Sequence, residues 1–183
     1  PDAQAIPLGQ TQAEVAGVPL EVVRTPGHAP DHSCFITPDN VCFAGDVLMT
    51  QDILKDSMIP FVFDMTDDLA SKEKMKALTC DAYILSHKGV VTGSIAALAE
   101  ENIQRVLGQL RACAALVQAP MTYSAFYAAI IQAMDLPVGH PARALHLERY
   151  LRPYVEYLID RGDLMLIDLD GAPAVAPGAV CHG

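Results

Sequence analysis

Basic residues are scarce: Lys and Arg number 12 against 22 Asp and Glu, leaving a formal net charge of −10. That shortage argues against a general nucleic-acid surface, which needs a basic face, and against adhesion to anionic membranes. Paired cysteine motifs are absent as well. The five cysteines (Cys34, Cys42, Cys80, Cys113 and Cys181) are odd in number and scattered, with no Cys-x-x-Cys. They read as small core residues in a reducing cytoplasm, not as a disulfide framework. There is no charged-then-apolar leader and no run of about 18 apolar residues, so neither a signal peptide nor a membrane span is expected. The first residue is Pro1 rather than Met, which suggests a processed or truncated piece of a longer chain. No His precedes His28.

Apolar residues, by contrast, are plentiful. They make up 51% of the 183 residues, enough for a packed core in one domain or one domain plus an appendage. The chain is organised around Val22 to Asp46. Val22-Val23 reads as a strand that stops at Pro26-Gly27, where Pro fixes one backbone angle and Gly permits a sharp reversal; His28 follows the break. Val41 to Ala44 reads as a second strand with Gly45-Asp46 at its end. An imidazole and a carboxylate at strand ends are a common way to build a zinc site on a rigid sheet.

At these residues the chain resembles the metallo-β-lactamase superfamily. Thr25-Pro26-Gly27-His28, followed by Asp31-His32, is similar to that family's Thr-Pro-Gly-His segment. Phe43-Ala44-Gly45-Asp46 is similar to its Gly-Asp segment, and Ile84-Leu85-Ser86-His87 to its last histidine strand. The resemblance covers residues 15 to 95 and implies an α+β fold: half of an αβ/βα sandwich, mainly antiparallel sheet with helices on one face. It also implies a two-metal hydrolase. His28 would ligate one ion, Asp46 would bridge both with its two carboxylate oxygens, and His87 would complete the second. Zinc is the first expectation for the metals, with manganese or iron as alternatives. Asp31 is expected to orient His28, and His32 to receive a proton; for both, a solvated or structural role is the competing reading.

The family's other ligand set, a His-x-His-x-Asp-His segment, has no place in this sequence. Two imidazoles and one carboxylate are too few to close two metal sites, so the chain alone is expected to hold metal weakly or not at all and to be inactive. Two explanations fit: a C-terminal piece of a longer hydrolase acting on an ester, thioester or phosphodiester, or a half-domain used as an oligomerisation or interaction module. In either case one apolar sheet face lacks its cover, at about 25 cal/mol per Å². A homo-oligomer pairing through that face, or through the C-terminal region, is the expected partner.

Along the rest of the chain, Ala16-Gly17 separates two strands of a hairpin, and Pro38-Asp39-Asn40 forms a tight turn. Met58 to Phe63 is apolar, either a connecting core segment or a cover over a cleft. Asp67-Asp68 open a helix through Leu78, Ala82 to Leu85 is a strand, and Ile95 to Val117 is a long helix. Pro120 suggests two modules, residues 1–118 and 119–183. The second reads as helix, helix and hairpin, with Gly162 as a helix stop and Asp170-Gly171 as the hairpin turn. It resembles the winged-helix appendage of several hydrolases of this fold. With four Arg and seven acidic residues, it is expected to pack or dimerise, not to read DNA.

Overall fold

The computed structural model describes residues 5–56, 59–87, 89–136 and 141–179, the side chains of 56 and 141–146 aside. Contacts group the chain into two units: Pro1–Asp56 with Thr66–Ile103, and Ser57–Met65 with Gln104–Gly183. The division at 118/119 expected from sequence follows the chain's motifs; grouping by contacts instead passes through one continuous helix.

The first unit holds β1 (Gln12–Val15), β2 (Val18–Arg24), β3 (Ser33–Ile36), β4 (Val41–Gly45), α1 (Gln51–Asp56), most of α2 (Met65–Ala77), β5 (Ala82–Leu85), β6 (Gly89–Thr92) and the start of α3 (Ala96–Ala115). The six strands lie side by side in chain order. Every neighbouring pair is antiparallel except β4 and β5, which are parallel. Hairpins explain the antiparallel part. Ala16 and Gly17 take φ of 51° and 80° between the paired Val15 and Val18, the left-handed pair that a two-residue hairpin turn requires. Asn40 closes the next turn at φ 59°, its N–H donating to Thr37 O at 2.9 Å. A parallel neighbour needs a longer crossover, here the segment carrying α1 and α2.

Alternation then sorts the two faces. Cys34, Cys42, Ala44, Tyr83 and Leu85 point inward and form a core with Met75, Cys80, Ile95 and Ala99. On the opposite face Phe35 lies beside Phe43, Phe43 beside Ile84, and Ile84 beside Val90, an apolar row across β3 to β6. Phe43 and Val90 remain 46% and 65% exposed. The expected α+β half-sandwich is what the chain forms, helices on one face and an uncovered apolar row on the other.

In the second unit, β7 (Met121–Thr122), α4 (Tyr123–Ala133), α5 (Pro141–Asp160), β8 (Leu164–Leu169) and β9 (Ala172–Pro177) follow the end of α3. The strands form an antiparallel sheet in the order β7-β9-β8. Thr122 caps α4 by accepting from Ala125 N–H. Gly162 ends α5 at φ 76°, and Asp170-Gly171 turn β8 into β9 with φ of 54° and 81°. Phe126, Ile130, Leu151, Tyr154 and Val175 are buried, and Tyr154 donates its hydroxyl proton to Gln109 Oε1 at 2.9 Å. Phe61 stacks edge-on against Tyr150, and Ile59 and Val62 are buried as core, whereas Phe63 is 60% exposed; Met58 lies outside the described residues.

The four described cysteines are buried and free, as expected, and Cys181 lies outside the described residues. Among the described residues no helix is long and apolar enough to cross a membrane.

Tyr83 illustrates how the core fixes loops. Its side chain is fully buried, its hydroxyl donates to Leu78 O at 2.6 Å and accepts from Cys80 N–H at 2.8 Å. Tyr83→Phe strands both backbone groups and is expected to lower stability by about 1–3 kcal/mol, read as a shift in the urea midpoint at unchanged slope.

Candidate metal centre

Strand direction brings the three expected ligands together. Two antiparallel steps, β2 to β3 and β3 to β4, give β2 and β4 the same direction, and β5 runs parallel to β4. The carboxyl ends of β2, β4 and β5 therefore lie at one edge of the sheet, the edge where open sheets of this kind place ligands. His28, Asp46 and His87 sit in the turns just past those three ends.

The His28 turn is clamped by α2. Gly27 has φ +128°, and a Cβ there would overlap the backbone of Asp68, so only glycine fits. Ser71 donates its hydroxyl proton to Pro26 O at 2.6 Å, and Lys74 donates to Arg24 O. Asp46 is aimed by different means. The β4–β5 register shifts between Phe43 and Gly45, Gly45 takes φ 61°, and Ser86 N–H ties back to Gly45 O at 3.1 Å.

The result is a carboxylate facing two imidazoles. Asp46 Oδ2 lies 3.5 Å from His28 Nε2, and Asp46 Oδ1 lies 3.2 Å from His87 Nε2. Oδ1 is buried and makes no hydrogen bond, although His87 is within ion-pairing distance. A buried carboxylate oxygen without a hydrogen bond, beside an imidazole nitrogen, is of the donor chemistry a divalent cation takes. Two ligand atoms on one tetrahedral zinc would lie about 3.3–3.6 Å apart, close to both separations. Each oxygen has its own imidazole. Among the described residues there is no group of three or more His, Cys, Asp or Glu that could hold a metal ion.

The remaining expected residues take other positions. Asp31 is exposed, and it is its carbonyl that its neighbours use, accepting from Ser33 Oγ at 3.2 Å and Arg24 at 3.5 Å. The His32 ring lies 6.1 Å from that of His28, edge-on, but its nitrogens are engaged with backbone. Nδ1 is 3.0 Å from Thr25 O and 2.8 Å from Thr25 Oγ1, while Nε2 accepts from Asp46 N–H at 3.1 Å. Burial lowers the pKa of this imidazole from its ordinary value, with the Thr25 carbonyl pulling the other way.

One feature of the site escaped sequence reasoning. Asp68 and Lys72, one helical turn apart on α2, form a buried ion pair behind the His28 turn. Burial pushes the Asp68 carboxyl up from its usual range, against the pull of Lys72 and a smaller one from His28 and His32. In the sequence the pair is an ordinary i,i+4 surface pattern; its burial depends on Gly27 admitting the helix to the turn.

Among known proteins, the chain is 30% identical over 124 residues to the lactamase-like protein vrtG of Penicillium aethiopicum, covering 66% of this chain and 39% of that one. It is 32% identical over 111 residues to the thioesterase pkgB of Emericella nidulans, covering 58% and 29%. It superposes with a TM-score of 0.72, at 22% identity, on a metallo-β-lactamase family protein from Thermus thermophilus, over 97% of this chain and 56% of that one. No family model matches the chain. The chain thus has a metallo-β-lactamase-like fold, and in sequence it is similar to one protein named as lactamase-like and one named as a thioesterase. The chain spans less than two fifths of either curated relative and just over half of the Thermus protein.

Removing one partner of the buried pair tests its place behind the ligand turn. Lys72→Met leaves the Asp68 carboxylate alone in the interior and is expected to cost about 3–5 kcal/mol of folding stability. Asp68→Asn added to it should recover part of that loss, measured by denaturant titration of the two variants.

Proposed function

We propose that this chain supplies one wall of the two-metal centre of a hydrolase that cleaves an acyl bond, an ester or thioester. The observation that carries the reading is Asp46, whose two oxygens each face a different imidazole Nε2. His28 and His87 would each hold one ion, and Asp46 would bridge them. Bound divalent ions supply Lewis acidity, lowering the pKa of a water and polarising the scissile group. The chain's own contribution is preorganisation: a carboxylate already desolvated at one oxygen and two imidazoles set by turns that a rigid sheet terminates. The thioesterase name of one relative favours a thioester over a phosphodiester; zinc is the metal proposed, on the nitrogen-rich donor set. With only half of the ligands, the isolated chain is inactive in this reading.

Metal titration tests it. The chain is expected to bind zinc weakly, with the affinity falling at least tenfold in His28→Ala and in Asp46→Asn. Unchanged affinity in either variant would remove that residue from the metal shell, and full thioester turnover by the chain alone would overturn the half-site.

A second reading, that of an interface, is favoured by the apolar row at Phe35, Phe43, Ile84 and Val90. In a complete sandwich this face takes the other half of the fold, and in this chain alone it is free to pair with a second copy. The second unit, running helix, strand, helix, helix, strand, strand, supports a winged-helix reading of that part. Phe43→Glu is expected to convert a self-associating chain into a monomer on sedimentation; identical profiles for the two proteins would count against pairing through this face.

A further inference from the structure

We infer that His32 is a positioning residue: its imidazole straps the turn that carries His28 to the backbone of Asp46. This inference rests on the reading of His28 and Asp46 as ligands, and it gives His32 work other than carrying a proton.

The contacts define the ring's state from bonding rules alone. A carbonyl oxygen only accepts, so Nδ1, 3.0 Å from Thr25 O, carries the hydrogen. A backbone N–H only donates, so Nε2, 3.1 Å from Asp46 N, presents its lone pair. One tautomer satisfies both ends, and with both nitrogens engaged the ring cannot also serve a substrate without breaking a bond that holds the site. Its anchor is firm: Thr25 is 1% exposed, and its hydroxyl lies 2.8 Å from Nδ1 and 3.3 Å from Cys34 Sγ. Thr25 N–H also donates to His32 O at 3.0 Å, closing residues 25–32 into a loop.

Gly45 makes room for the strap. A Cβ there would stand 2.6 Å from His32 Nε2, and the residue's φ is +61°. The Gly-Asp pair thus has a steric meaning here: glycine admits the imidazole, and the next residue's N–H receives it. Asp46 is consequently joined, through one ring, to Thr25, a residue three positions before His28. Partners of ligands that fix orientation in this way commonly change metal affinity by about 10–100-fold when removed.

The test uses the 183-residue chain, free of metal and then titrated with zinc. Long-range proton–nitrogen NMR of His32 is expected to show hydrogen on Nδ1 and a bare Nε2; the opposite tautomer would overturn the inference whatever the zinc result. His32→Leu, which keeps bulk but neither bond, is expected to shift the Asp46 amide resonance and weaken zinc binding at least tenfold. His32→Gln, whose side-chain oxygen can accept from Asp46 N–H, should regain most of that affinity and return the Asp46 resonance toward its original position. If Leu binds zinc as tightly as the original, or if Gln is no better than Leu at equal folded fraction, His32 does not position the site. The expected tautomer in a chain that binds no zinc would support the strap while removing the ligand reading of His28 and Asp46.

Discussion

The parallel pairing of β4 with β5 is the constraint on which the site depends. Had β5 followed β4 through a hairpin, His87 would have emerged at the far edge of the sheet. The crossover carrying α1 and α2 prevents this and does a second job: α2 lies against the turn after β2. Topology therefore sets both where the candidate ligands emerge and what supports them. The two imidazoles facing Asp46 follow from three co-directional strand ends, without a dedicated loop for each residue.

Support for the candidate ligands is layered. Nearest are backbone bonds: Ser86 N–H to Gly45 O, and Asp46 N–H to His32. Behind the His28 turn stand Ser71 and the buried Asp68–Lys72 pair. A buried ion pair is weak evidence for stability, because desolvation offsets much of its attraction. Its value here is directional. Lys72 holds one Asp68 oxygen, the other has no hydrogen-bond partner, and the helix that carries them touches the ligand-bearing turn.

Much of this was legible in the sequence because the signals were local. Ala16-Gly17, Pro38-Asp39-Asn40 and Asp170-Gly171 announce their turns and Gly162 its helix stop, each through the conformational preference of one or two residues. That residues 28, 46 and 87 meet was legible only through resemblance to a family, since no local rule brings them together. What stayed hidden depends on contacts between distant segments. β6 is too short and too mixed in character to stand out. Asp68 and Lys72 look like a solvated pair until Gly27 brings the turn onto them. His32 looks like a spare base until Asp46 N–H is found at its far nitrogen. For Asp31 the sequence left open a role beside His28 or a solvated one; the residue is exposed, and its carbonyl accepts from Ser33 and Arg24.

The left-handed glycines also bear on how the protein could be engineered. Replacing glycine by alanine commonly adds about 0.4–1 kcal/mol by narrowing the unfolded ensemble. At Gly27 and Gly45 that route is closed, since each must admit a neighbour's atoms and holds a backbone shape that alanine resists. Gly108 differs: it lies in the interior of α3, where an added methyl meets only the tip of Arg111 at 4.0 Å. Thermal hardening of this chain has to begin in its long helix, because the rim of the sheet has already spent its conformational freedom on geometry.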